Sequence, residues 1–168
     1  MTFAEGSAPG ASYVRAGEGP ATWVVGDTYT FKATAASTGG AFALIEASIP
    51  PGNGPPPHLH TREDEAFYLL DGELEISVGQ QTTLVRAGDF AYLPRNFVHW
   101  FRNPGVAPAK ALILVTPGGF ERFFTEIGVP ARPGESAPPF DPADGEHLAE
   151  VNRRYGGQIF APTGAATT

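Results

Sequence analysis

Two of the four histidines in the chain, His58 and His60, are separated by a single residue in the segment PPPHLHTREDE. On a β-strand the side chains of residues i and i+2 leave the same face, with Cα atoms about 6.6 Å apart. At this spacing two imidazole nitrogens can bind one metal ion, each at about 2.1 Å. A His-x-His pair alone is more often a surface feature, so a metal site needs further ligands nearby.

Glu65 is the first candidate for a further ligand. The Asp71-Gly72 dipeptide is typical of a two-residue turn between antiparallel strands, and this hairpin places Glu65 opposite Val78 on an apolar face. The other pairs on that face are Phe67 with Ile76 and Leu69 with Leu74. A carboxylate turned into a core is costly unless a metal or another cation compensates its charge.

Two alternatives remain open for this carboxylate. In one, Glu65 lies at the end of the strand and reaches water; in the other, Glu63, which has the same parity, is the inward carboxylate. Four residues separate His60 from Glu65, so an uninterrupted strand would set Glu65 on the opposite face. The polar segment between them must therefore bend the chain if all three side chains are to meet.

A third histidine, His99, follows a turn predicted at Pro94-Arg95-Asn96. It belongs to a strand in which its ring shares a face with Phe97 and Phe101. A single histidine in a strand is usually a hydrogen-bonded core residue, so its position alone does not assign it a role. His147 falls in a polar helix, where we expect it to be solvated.

The composition excludes several function classes. The 168-residue chain carries a formal net charge of −7, which disfavours nucleic acid or an anionic membrane surface as a partner. It contains no cysteine, so any metal must be held by nitrogen and oxygen atoms. Neither a secretory signal nor an apolar run of about 20 residues is visible, and we expect a cytoplasmic protein without membrane contact.

The elements that must position these side chains are short β-strands. Residues 1–20 are rich in Gly, Ala, Ser and Pro and indicate a loose arm, whereas residues 21–117 contain short β-type runs separated by turns, typical of an all-β sandwich or barrel. Residues 118–168 are predicted to form short helices that pack on this barrel. The first has an apolar stripe of Phe120, Phe123, Phe124 and Ile127, and the second one of Leu148, Val151 and Tyr155.

Taken together, these motifs resemble the cupin family. The first family pattern is matched by Gly52, His58, His60, Glu65 and Gly72, and the second by Gly88, Pro94, His99 and Asn103. The second departs from the family only at Asn96, where glycine is usual; asparagine also tolerates a left-handed turn. The resemblance implies a double-stranded β-helix, or jelly-roll barrel. It also implies that His58, His60, Glu65 and His99 hold one divalent metal near the barrel mouth.

The helical segment after the last strand resembles single-domain cupins related to bacterial quercetin 2,3-dioxygenase. This resemblance favours a metal-dependent dioxygenase acting on a small aromatic or enolic compound, with Glu65 as ligand and proton acceptor. The ligand set is compatible with Fe, Mn, Ni, Co, Cu or Zn. The alternatives are a non-redox isomerase, lyase or polyketide-type cyclase, and a binding protein without turnover.

Strand parity predicts an apolar substrate pocket beside the metal. Its expected wall is formed by Phe67, Leu69, Ile76, Phe97 and Phe101. The opposite face of the hairpin carries Tyr68 and Leu70. With strands at residues 22–35 and 41–49, this face is predicted to offer apolar surface and a free sheet edge, which favours a homodimer.

Overall fold

The computed structural model describes residues 10–160; residues 1–9 of the predicted arm and residues 161–168 of the predicted tail lie outside this range. The described chain forms two antiparallel sheets, with strands numbered in chain order. The seven-stranded sheet contains, in spatial order, β11 (Val129–Pro130), β1 (Ala21–Val24), β2 (Asp27–Ala33), β3 (Ala43–Ile49), β10 (Ala109–Thr116), β5 (Asp64–Asp71) and β8 (Phe90–Leu93). The five-stranded sheet contains β12 (Gly157–Ile159), β4 (His58–His60), β9 (His99–Arg102), β6 (Glu73–Val78) and β7 (Gln81–Arg86).

The core lies between the two sheets. Strands β3 and β10 alternate strictly between buried and partly exposed residues, as expected for strands with one face toward an apolar interior. Both sheets contribute fully buried side chains, including Ile45, Phe67, Leu74 and Ile113. This arrangement is the predicted double-stranded β-helix.

The hairpin predicted at Asp71-Gly72 is wrong. Strand β5 pairs with β10 and β8, whereas β6 pairs with β7 and β9. Because both edges of β5 are occupied, the chain crosses at Gly72 to the other sheet. Gly72 has a φ of 77°, and a Cβ there would lie 3.0 Å from the Cα of Ala109. The crossing therefore favours glycine for its backbone angle and for its lack of a side chain.

Glu65 nevertheless faces the interior, as predicted. It lies opposite Val115 and Leu93 instead of Val78, and it is buried. The direction is right although the partner strand is wrong, because alternation along β5 alone decides which side chains point inward.

The free edges of the sheets also differ from the prediction. Residues 22–35 and 41–49 fall largely in β1, β2 and β3, which lie inside the seven-stranded sheet. Within residues 10–160, the edge strands of that sheet are β11 and β8, and those of the other sheet are β12 and β7. The surface around Tyr68 is therefore bordered by the edge strand β8, which was not part of the prediction.

Short helices accompany the barrel. They are α1 (Ala35–Thr38), α2 (Glu121–Ile127) and α3 (Gly145–Arg154), the last preceded by a 3-10 turn (Pro142–Asp144). The predicted stripe of α2 packs into the barrel core together with Val151 of α3. As predicted, α2 ends at Gly128, whose N–H donates to the carbonyl of Phe124. No helix in residues 10–160 is long and apolar enough to cross a membrane.

Candidate metal centre

Two facing sheets bring four potential ligands together. His58 and His60 project from β4, and His99 lies directly opposite His58 on the neighbouring strand β9. After His60 the chain crosses to the other sheet, where β5 directs Glu65 back toward the three rings. One ligand atom from each of the four side chains lies within 4.8 Å of all the others. The bend predicted between His60 and Glu65 is this crossing between sheets.

The turn predicted before His99 is present. Asn96 has a φ of 67°, and the N–H of Phe97 donates to the carbonyl of Pro94 at 3.4 Å. Asparagine therefore adopts the left-handed geometry for which the family usually has glycine.

Backbone carbonyls orient two of the imidazole rings. Nδ1 of His58 lies 2.9 Å from the carbonyl oxygen of Pro56, and Nδ1 of His99 lies 2.9 Å from that of Phe97. Since a carbonyl only accepts, each Nδ1 must carry the proton. A neutral ring then presents an unprotonated Nε2, the form that binds metals.

One contact within the cluster tests whether a cation fits. Nε2 of His99 lies 3.3 Å from Oε2 of Glu65, and neither atom has a hydrogen-bond partner in the described chain. Both residues are buried, with exposed fractions of 1% for His99 and 5% for Glu65. Two acceptor atoms facing each other away from water require a positive charge between them. Their separation is compatible with two ligand atoms that are each about 2.1 Å from one ion, so the residues fit a metal.

The electrostatics keep His58, His60 and Glu65 in their metal-binding forms at neutral pH. Burial, reinforced by the neighbouring His99 and His60, lowers the pKa of His58 to about 3. Burial likewise lowers the pKa of His60 to about 4. Burial alone would raise the pKa of Glu65, but the three neighbouring histidines outweigh burial and lower that pKa. At neutral pH His58 and His60 are therefore neutral and Glu65 is ionised.

The alternative carboxylate, Glu63, is not part of this cluster. It is buried, and burial raises its pKa. His147 lies exposed on α3, as expected. Of the two glutamates left open by the sequence, Glu65 is therefore the one that meets the histidines.

An apolar cavity adjoins the cluster, with His58, His60 and Glu65 in its wall. Of the five residues predicted to form the pocket, only Phe101 lines this cavity. Phe67, Leu69 and Ile76 instead lie in the barrel core, because strand alternation points them inward. Phe97 is exposed before β9. The predicted wall and this cavity therefore have only Phe101 in common.

Most of the wall comes from parts of the chain that the parity argument did not reach. The aromatic stripe of α2 supplies Phe120, Phe123 and Phe124, and the ring of Phe120 lies 4.2 Å from that of His60. Strand β2 adds Asp27 and Tyr29, and α3 adds Leu148 and Asn152. The stripe was visible in the sequence, but its periodicity does not distinguish a ligand wall from simple packing.

Comparison with known proteins decides the family. The sequence model of the family described as "Cupin domain" matches residues 45–115, a range that contains all four candidate ligands. Germin-like protein 3-1 of Oryza sativa subsp. japonica is 31% identical over 156 residues, covering 82% of this chain and 68% of that protein. The chain belongs to the cupin family.

This cupin also resembles quercetin 2,3-dioxygenase of Bacillus subtilis, with 31% identity over 117 residues, or 70% of this chain. The alignment covers 34% of that relative, so the cupin spans about a third of its length. Among solved structures, KdgF from Halomonas sp. superimposes with a TM-score of 0.59 at 16% identity, covering 67% of this chain and 98% of that one. At this identity the likeness concerns the fold alone.

Proposed function

We propose that this cupin is a metal-dependent dioxygenase acting on a small aromatic or enolic compound. The observation that carries the proposal is a cluster of three histidines and Glu65 that contributes His58, His60 and Glu65 to the wall of a cavity rich in aromatic rings. A flat apolar molecule suits such a wall better than a sugar phosphate does. The 31% identity to a quercetin 2,3-dioxygenase supports this choice of chemistry.

The residues that would hold the metal are His58, His60, Glu65 and His99, all of which donate through nitrogen or oxygen. When bound, a divalent ion such as Fe, Mn, Ni, Co, Cu or Zn would supply Lewis acidity and sites for oxygen ligands. The aromatic wall excludes water and orients the flat substrate. Glu65 lies where it can accept the proton of a substrate hydroxyl.

The function is tested by reloading metal-free protein separately with each of these ions. Oxygen uptake and substrate loss are then followed together, with a flavonol, an aromatic diol and an enol as substrates. One dioxygen consumed per substrate molecule supports the proposal. Product formed without oxygen uptake would instead indicate a non-redox isomerase, lyase or cyclase. Binding without turnover for every ion would indicate a binding protein.

The size of the cavity predicts how such a substrate enters. The inner cavity offers about 70 Å³, whereas a cavity of about 150 Å³ is known to hold benzene. An outer groove of about 210 Å³ lies alongside, and Val24, Val25 and Leu148 line both spaces. These three side chains separate the two spaces. An aromatic ligand is therefore expected to displace them, most simply by movement of Leu148 on α3.

Replacing Leu148 with Ala is expected to raise kcat/KM for a flavonol by about tenfold, because the smaller side chain joins the two spaces. A single-ring catechol should gain less, because one ring uses only part of the space that the substitution opens. Steady-state kinetics with both substrates measure the difference. An equal change in kcat/KM for both substrates, or no change for the flavonol, would contradict the claim that Leu148 limits the space for a flavonol.

We further propose that the protein is a homodimer. The outer face of the seven-stranded sheet exposes Tyr68 by 46%, Leu70 by 42%, Phe90 by 66% and Tyr92 by 55%. These residues lie on the paired strands β5 and β8, so they form one patch beside a free edge. Light scattering should give twice the chain mass of 17.7 kDa, and Phe90→Asp should halve the particle mass. A wild-type particle of 17.7 kDa at micromolar concentration would refute the dimer.

A further inference from the structure

A second carboxyl group lies in the cavity wall. Asp27, at the start of β2, is 2% exposed and lines the same space as His58 and Glu65. One of its oxygens accepts a hydrogen bond from Nδ2 of Asn53 at 2.6 Å, and the other accepts from the hydroxyl of Tyr29 at 3.0 Å. No salt bridge reaches it within residues 10–160.

A purely structural role does not account for an acid at this position. The amide of Asn53 also donates to the carbonyl of Val25 at 2.8 Å, so it clamps the turn between β1 and β2. This turn is strained, because the β-branched Val25 has a φ of 52°. The clamp, however, needs only an acceptor oxygen, which an amide would supply without the cost of burying an ionisable group.

Burial brings the proton exchange of Asp27 close to neutral pH. It raises the pKa of Asp27 to about 7, although the hydrogen bonds from Asn53 and Tyr29 lower this pKa in part. A carboxyl group with such a pKa can accept a proton from a bound hydroxyl group near neutral pH. The other ionisable groups in this wall are Tyr29, His58, His60 and Glu65.

We propose that Asp27 is a second catalytic residue, which binds and deprotonates a hydroxyl group of the substrate remote from the oxygen expected at the metal. The hydroxyl O–H bond breaks, the proton forms a carboxyl O–H on Asp27, and the negative charge passes to the substrate oxygen. The inference rests on the proposed function and narrows its substrate class to aromatic or enolic compounds with a second hydroxyl group.

The test measures anaerobic binding of two flavonols, quercetin and 3-hydroxyflavone, to metal-loaded protein by calorimetry. 3-Hydroxyflavone lacks the additional hydroxyl groups of quercetin. Asp27→Asn should weaken quercetin binding by about 10- to 100-fold, the usual loss for a charged hydrogen bond. It should change 3-hydroxyflavone binding less than about twofold and leave the metal content unchanged. The matched control, Asn53→Ala, breaks the clamp and keeps the acid, so it should lower Tm and retain the preference for quercetin at pH values above the midpoint, which the loss of this donor moves upward.

The pH dependence of quercetin binding is a second test, because a purely structural role of Asp27 would not affect it. Because the carboxylate is the acceptor, the ratio of quercetin affinities, wild type over Asp27→Asn, should rise as pH increases through about 7. If Asp27→Asn does not fold, Tyr29→Phe removes one donor to the carboxylate and should move the wild-type pH midpoint upward by about one unit.

Three outcomes would overturn the proposal. Equal losses for both flavonols would assign Asp27 a structural role, and no loss for either would assign it none. In both cases the proposed function would stand. If metal-loaded wild type binds neither flavonol, the inference fails together with the flavonol-like substrate class.

Discussion

Glu65→Gln is expected to lower turnover by about two to four orders of magnitude, the usual contribution of a positioned general base. Most of the bound metal should remain, because the amide oxygen can still coordinate and His58, His60 and His99 are unchanged. Glutamine has nearly the same shape as glutamate, so the buried contact with His99 at 3.3 Å keeps its geometry. Metal analysis and steady-state kinetics on the same preparation separate the two effects.

Glu63→Gln is the matched control for this variant. Glu63 is also a buried glutamate, two residues earlier, but it lies outside the ligand cluster. The Glu63→Gln variant should therefore have nearly the metal content and turnover of the wild type. If Glu65 is only a ligand, activity will follow metal occupancy and return with excess metal. A metal-replete Glu65→Gln protein with normal turnover would refute the general-base role.

Replacing His99 with Ala is expected to weaken metal binding by more than about 100-fold, since changes outside the ligand shell alone cost about 10- to 100-fold. The same result is expected for His58→Ala and His60→Ala. The barrel should remain folded, because its apolar core between the two sheets does not include the ion. Calorimetric metal titration and circular dichroism measure the two properties.

His147→Ala is the matched control for the histidine variants. His147 is exposed on α3 and outside the cluster, so its loss should leave metal affinity unchanged. Metal should also raise Tm of the wild type, because binding at 100 times Kd adds about 2.7 kcal/mol to stability. Metal should not raise Tm of His99→Ala. Full metal occupancy in purified His99→Ala would remove this residue from the site.

The sequence predicts directions of side chains better than partners of strands. Alternation along β5 is a local pattern, and it correctly predicted that Glu65 faces the interior. The Asp71-Gly72 turn signal is also local, yet it did not reveal that β10 and β8 occupy both edges of β5. Strand pairing depends on residues more than twenty positions away, and no short pattern reports it.

The candidate ligands were predictable for a related reason, since their spacing along β4, β5 and β9 is itself the motif. The cavity wall was not, because it combines Asp27 from β2, Phe120 beside α2 and Asn152 from α3. Nothing in the local sequence states that these segments converge. Asp27 and Tyr29 alternate with partly exposed residues on β2, and this alternation shows that they face inward but does not indicate the cavity they line.

The central claim, that His58, His60, Glu65 and His99 bind one divalent metal, is tested most directly by anomalous diffraction. Crystals of protein loaded with Co²⁺ would be measured at the cobalt absorption edge. The structure predicts one strong peak per chain within the cluster, about 2.0–2.3 Å from three imidazole nitrogens and one carboxylate oxygen. A cluster without a peak after saturating loading, or a peak only at a surface residue such as His147, would contradict the claim.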